Sequence, residues 1–230
     1  MKDIVINIVN FFYGFTGNYG ISIILLAVLV RLIILPFNIS SMKFTHLTKK
    51  LNPQMEEIKR KYKDDKEKQN QATVELWQEH KVNPLSGCLP MLIQMPILIL
   101  VIRAMQDPSL YQVAEPMFFG LNLTIPDEVY AWNYGMQYLV LPVLSVITTY
   151  FSSKIMSAGN PQNMGTMNIV MTLMMGWITL RFPAGLALYW VVGNLLQMSQ
   201  HVVFNKFMEK EELLPAEGVI KSEKKRNKKR

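Results

Sequence analysis

The sequence predicts an all-α polytopic membrane protein. It has five transmembrane helices with the N-terminus outside and the C-terminus in the cytoplasm, a cytoplasmic helical hairpin and an N-terminal interfacial amphipathic helix. Three observations predict this. Half of the 230 residues are apolar, only 18% are charged and 16 are Met, a balance suited to lipid rather than to a soluble domain. The charges are nearly absent from several long stretches and crowded into two. Basic residues also gather in alternate loops, as orientation in a membrane requires.

The first element is Met1 to Asn18, where Ile4, Ile8, Phe11, Phe12 and Phe15 recur as on a helix lying in the membrane interface. It has one Lys, no small-residue cleavage site and no lipid-attachment Cys, so it does not read as a signal peptide. Five apolar spans follow, over 19–37 (ending near Pro36), 88–105 (holding Pro90 and Pro96), 136–156, 164–180 and 184–204. Each approaches the ~20 residues needed to cross ~30 Å of hydrocarbon. Only Arg181-Phe182-Pro183 joins the last two, which must form a tight hairpin. The chain thus divides into the interfacial helix at 1–18, a membrane core at 19–205 and a basic tail at 206–230.

Orientation follows from the loops. Met42 to Val82 carries ten basic residues (Lys43, Lys49, Lys50, Lys59, Arg60, Lys61, Lys63, Lys66, Lys68, Lys81), and the tail from Asn205 carries nine. Gln106 to Gly135 has none, but contains Asp107, Glu115, Asp127 and Glu128. Within 42–82, Leu47, Leu51, Met55, Ile58 and Tyr62 mark one apolar stripe, and Asn52-Pro53 forms a cap and first-turn pair where the arm can bend. Asp64-Asp65 supplies the turn, and Ala72, Leu76 and Trp77 return toward the first arm. His46 and His80 read as solvated residues of this hairpin. The outer loop is expected to lie at the outer interface through Phe118, Phe119 and Trp132.

One Cys and three scattered His exclude an internal disulfide and give no zinc-ligand spacing. With no phosphate-binding glycine loop and no nucleophile elbow, the sequence reads as a non-enzyme without metal or cofactor.

Arg31 is the one ionisable side chain in the apolar run Ile21 to Phe37. A mid-membrane arginine costs about 2.5–3.5 kcal/mol on insertion scales. Two readings stand: a functional charge in a cavity, or a guanidinium snorkelling to headgroups. Gln94, Ser145, Thr148, Asn194 and Gln197 either line the same cavity or bond helices together. Tyr189 and Trp190 form a greasy wall or an interfacial belt.

Three segments share a resemblance. Val30-Arg31-Leu32-Ile33-Ile34-Leu35-Pro36, then Asn83-Pro84-Leu85-Ser86-Gly87-Cys88-Leu89-Pro90 with Ile93-Gln94-Met95-Pro96-Ile97, then Phe182-Pro183-Ala184-Gly185-Leu186-Ala187-Leu188-Tyr189-Trp190 with Asn194, together resemble the core helices of the YidC/Oxa/Alb family of membrane protein insertases, in its short Gram-positive bacterial form. The resemblance covers roughly Asn10 to Lys210. It implies a five-helix core around a groove open to cytoplasm and lipid, with the family's groove arginine at Arg31. It implies a multi-pass protein of the bacterial plasma membrane. Acting as a monomer and without nucleotide hydrolysis, it would move short hydrophilic segments across and release hydrophobic helices into the bilayer.

The expected partners are nascent membrane proteins, the ribosome, the Sec translocon with the signal-recognition pathway, and anionic lipids. Contacts with ribosome or lipid fall to Lys59, Arg60 and Lys61 of the hairpin and to Lys224, Lys225, Arg226, Lys228, Lys229 and Arg230 of the tail. The alternative is a small-solute transporter or channel with an intramembrane anion site at Arg31.

Overall fold

The computed structural model describes residues 2–80, 82–83, 85–111, 116–126, 129, 132, 136–157 and 164–213. Seven helices account for most of them: α1 (Lys2–Thr16), α2 (Tyr19–Lys61), α3 (Lys66–Glu79), α4 (Leu85–Met105), α5 (Val140–Ser157), α6 (Met164–Arg181) and α7 (Ala184–Leu213). Among the described residues, α2 alone is long and apolar enough to cross a membrane by length and composition. Shorter apolar runs cover Leu92–Met105 and Val140–Met156. Large apolar side chains face outward on α2 (Leu32, Ile33, Phe37), α5 (Val143, Ile147, Phe151) and α6 (Val170, Leu173, Trp177). Exposed apolar surface on this scale needs a partner other than water.

Helix α1 stops at Gly17, whose φ of +61° suits the left-handed position after a helix, and its N–H reaches the Tyr13 carbonyl at 2.8 Å. Asn18 then caps α2, its side chain accepting from the Ile21 N–H at 3.1 Å. The break seats α1 on the bundle. Ile6 and Val9 are buried, and Ile8 packs inward with them, while Ile4, Phe11 and Phe15 point outward. The expected interfacial stripe is therefore divided: Ile8 serves the core, and Ile4, Phe11 and Phe15 form an exposed apolar face.

The helix of the first apolar run does not stop at Pro36. Helix α2 runs unbroken for 43 residues through both Pro36 and Pro53. Each proline removes one ladder bond, and both rings sit at exposed positions, so the helix tolerates them and Asn52-Pro53 starts no new helix. At 1.5 Å per residue α2 is about 65 Å long, twice the hydrocarbon thickness, so one half must project.

Asp65 caps the return helix α3, accepting from the Lys68 N–H at 3.0 Å. Leu51 and Met55 meet Leu76 and Val82, flanked by Phe44, Ile58 and Trp77, as the stripe predicts. Leu47 is exposed, Thr73 rather than Ala72 is buried, and His46 is buried rather than solvated. His46 lies where α2 is still enclosed, among buried Ser41, Met42, Thr45 and Thr48.

The other helices follow the apolar segments with shifted ends. Helix α4 starts at Leu85, and a 3₁₀ turn at Met136–Leu139 precedes α5. Helix α7 continues past 204 to Leu213, so the first part of the basic tail is helical. Residues 214–230, including Lys224, Lys225, Arg226, Lys228, Lys229 and Arg230, lie outside the described residues.

The loop after α4 folds onto the bundle. Strands β1 (Met117–Phe118) and β2 (Leu121–Asn122) are joined by Phe119 and Gly120, both at positive φ, the signature of a tight type I′ hairpin. Phe119 and Trp132 are 91% exposed. Phe118 is not an interfacial residue, because its ring fills the space where Gly20 lacks a Cβ. Beyond β2, the carbonyls of Leu123 and Ile125 accept from Gly185 N at 3.0 Å and Ala184 N at 3.1 Å. These bonds satisfy amides that the start of α7 cannot satisfy itself. Beneath this layer lies the apolar core, with Ile23, Leu26 and Ala27 of α2, Val101, Ala104 and Met105 of α4, and Leu186 and Ala187 of α7. Beside it Tyr13 stacks on Tyr19 with ring centroids 4.0 Å apart, and Tyr111 meets Tyr19 edge to face at 5.1 Å.

Lys2 ties α1 to this layer through Asp107. The Lys2 hydrogen bond, aided by Ser109, holds the Asp107 carboxyl well below the ordinary carboxylate range, and Asp107 raises the Lys2 ammonium. A lowered carboxyl stabilises above its unfolded value and loses that contribution as pH falls; a raised ammonium stabilises below its unfolded value and loses it as pH rises. The tie should therefore hold between about pH 4 and pH 10. Hydrogen exchange of α1 amides should accelerate outside that window relative to its interior, and Asp107→Asn should abolish the acid limb.

Candidate functional site

Helices α2 and α7 pack in parallel with a fixed register. A Cβ at Gly185 would lie 3.1 Å from Ile23 Cδ1, and one at Gly193 would lie 3.3 Å from Arg31 Nη2. The pairs 23/185 and 31/193 share one offset, so the helices run side by side and in the same direction. Gly193 is a notch: without a side chain there, the half-buried Arg31 guanidinium lies against the α7 backbone. Arg31 interacts electrostatically with Tyr189, one turn earlier on α7, and with His201, two turns later. The Tyr189 hydroxyl in turn meets the Gln94 side chain of α4. Arg31, Gln94 and Tyr189 thus come together from three helices.

The lining of α2 changes character at Arg31. Before it, the buried side chains are almost all apolar: Tyr19, Ile23, Leu26 and Ala27, with Ser22 bonded back to Asn18. After it come buried Asn38, Ser41, Thr45, His46 and Thr48, with Ile34 and Met42 between. No Asp or Glu occurs in α4, α5 or α6; the acidic residues of α2 begin at Glu56 and those of α7 at Glu209. The guanidinium therefore has no carboxylate at its own level on these five helices.

A second polar group joins α5 to α7. The Trp190 indole N–H donates to Thr149 Oγ1 at 2.9 Å. The Asn194 carboxamide faces donors, so its oxygen belongs on that side, 2.9 Å from Thr149 Oγ1 and 3.2 Å from Thr148 Oγ1. Thr149 passes the chain on, accepting from Trp190 and donating to Asn194. Gln197 approaches the Met156 sulfur of α5 at 2.8 Å. Ser145 stands apart, buried between α5 and α6 and bonded to Thr179 Oγ1 at 2.9 Å. Lys59, Arg60 and Lys61 are exposed on the last turn of α2, where positive charge complements the helix dipole.

The sequence reading missed Thr149, Gly193, Asn38 and His201. The spacing of Asn38, Ser41, Thr45 and Thr48, in steps of three and four, already marked a polar face on α2. The role of Gly193 depends on register between distant helices and leaves no local signal.

The profile described as "60Kd inner membrane protein" matches residues 11–211 of this chain. The chain belongs to that family, the insertase family its motifs resemble. Relatives in it include the "Membrane protein insertase YidC" of Clostridium perfringens, 41% identical over 82% of this chain and 79% of the relative. That of Caldanaerobacter subterraneus is 36% identical over 86% of this chain and 90% of the relative. The crystal structure described as "Active YidC insertase crystal structure with the first transmembrane domain resolved" superposes with a TM-score of 0.65 at 28% identity. That match covers 86% of this chain and 44% of the other.

Removing the Thr149 hydroxyl leaves the Trp190 N–H and the Asn194 oxygen without their shared partner. Thr149→Val should lower unfolding stability in detergent by about 1–3 kcal/mol, read as a lower thermal midpoint, whereas Thr149→Ser should match the parent.

Proposed function

We propose that this chain is a membrane protein insertase of the bacterial plasma membrane, crossing it five times with the N-terminus outside, and that Arg31 heads a hydrophilic groove open to cytoplasm and lipid. The observation that carries this reading is the change of lining at Arg31, from an apolar seam capped by the β-hairpin to a polar one, around a cation without an internal counter-charge.

The physical argument starts from the client. A short polar segment crossing hydrocarbon loses water and finds no partners, at several kcal/mol per unsatisfied group. A polar hollow reaching partway through shortens the dry distance. Arg31, permanently charged, attracts an acidic residue of the client's outer segment to the end of the hollow. Groove water keeps that attraction weak, so the segment is released rather than held. The apolar faces of α5 and α7 accept the client's hydrophobic helix as it passes into lipid. The driving force is the client's own hydrophobicity, aided by a membrane potential worth ~2.3 kcal/mol per charge per 100 mV. No covalent step is involved.

Clients arrive from ribosomes in this reading, with the basic hairpin and tail holding polyanionic surfaces. The packed tyrosines and hairpin at the other end argue against a channel open to both faces.

In proteoliposomes at matched protein levels, Arg31→Ala should reduce insertion of clients with acidic outer tails about fivefold, the equivalent of ~1 kcal/mol for a water-screened ion pair, and Arg31→Lys should largely preserve it. Equal insertion by parent and alanine variant would remove the functional charge. Gly193→Leu fills the notch, so it should reproduce the Arg31→Ala defect for acidic tails and add little when combined with Arg31→Ala.

A further inference from the structure

About two turns toward the cytoplasm from Arg31, the same seam carries buried polar atoms that nothing among the described residues satisfies. Asn38 Nδ2 on α2 and Gln200 Oε1 and His201 Nδ1 on α7 have no hydrogen-bond partner among the described residues. Asn38 is 4% exposed and His201 2%. The register fixed by 23/185 and 31/193 places residue 38 beside residue 200, about 10 Å below Arg31 along both helices. A buried polar atom left unbonded costs about 1–3 kcal/mol, and native structures hold few of them. Neighbouring hydroxyls show how such atoms are normally satisfied: Thr45 donates to the Ser41 carbonyl at 3.0 Å and Thr48 to the Phe44 carbonyl at 2.7 Å. Asn38 Nδ2 makes no such donation, and Gln200 Oε1 accepts from no donor among the described residues.

The chemistry of the pair is specific. Asn38 offers an N–H donor and Gln200 a carbonyl acceptor, neither charged. That is the complement of a peptide group, which presents one C=O and one N–H. Building on the groove reading above, we propose that Asn38 and Gln200 form a second client-contact station, below Arg31, that binds the backbone of an extended polar segment irrespective of its side-chain charge. His201 borders the station on α7 with a further unpartnered nitrogen. The station supplies hydrogen bonds to peptide groups that leave water, and Arg31 then discriminates by charge. The seam thus handles general desolvation first and charge second.

The test uses the full-length protein in proteoliposomes with paired clients whose outer tails are acidic or neutral. Asn38→Leu combined with Gln200→Leu should lower insertion of both clients by about fivefold, the scale of one ordinary hydrogen bond, while Arg31→Ala lowers the acidic one alone. Since each substitution removes one buried unpartnered atom, the thermal midpoint in detergent should be unchanged or higher. Three results would overturn the station: unimpaired insertion, a defect confined to acidic tails, or a lowered midpoint showing that the two side chains hold the fold. Unselective loss in the double leucine variant with no effect of Arg31→Ala would leave the station standing and remove the charged groove, so the two failures are distinguishable. As a measurement independent of those variants, Asn38→Cys in a Cys88→Ser background should form a disulfide with a cysteine in the polar tail of a stalled client. Crosslinks only to the client's hydrophobic helix would overturn the proposal.

Discussion

The arrangement turns on one constraint: a guanidinium within the bundle cannot lose its charge, and no carboxylate on the surrounding helices compensates it. Such a group must meet water or polar surface. The bundle provides polar surface on one side only. Toward the β-hairpin, α2 and α7 close on Ile23, Leu26 and Leu186, and toward the other end the same helices present Asn38, Thr45 and His201. A dry seam and a polar one meet at Arg31, and Gly193 gives the guanidinium room to sit at the boundary.

The cap over the dry end has its own logic. A helix beginning inside a bundle leaves amides without acceptors. Here the loop after β2 supplies two carbonyls to α7, and the hairpin fills the gap at Gly20. The same contacts that complete α7 also close this end of the bundle, so closure and helix initiation are one structural event. On the other flank, the Trp190–Thr149–Asn194 chain and the Ser145–Thr179 bond hold α5 between α6 and α7. Polar bonds between membrane helices are individually modest.

Much of this was legible in the residues. Apolar runs located the helices, Asp65 marked the start of α3, and Leu51, Met55 and Leu76 named the hairpin core. Gln94 and Tyr189, singled out with Arg31 in the sequence, lie beside it. What escaped depends on tertiary context. Pro36 and Pro53 look like helix ends, yet at exposed positions each removes a single bond and α2 carries on. His46 looks solvated beside lysines, yet lies on the enclosed face. Thr149 is one of two adjacent threonines, and only the helix packing shows which one receives the indole.

The continuity of α2 joins two regions that the sequence keeps apart. The residue that sits among the membrane helices and the hairpin that reaches out of them are points on a single rod, roughly 45 Å separating Arg31 from the end at Lys61. Whatever tilts the outer arm must either carry the guanidinium with it or flex the rod where the backbone ladder is interrupted, at Pro36. A displacement of the hairpin is thereby mechanically linked to the position of the guanidinium, with four residues between the charge and the proline joint above the hairpin.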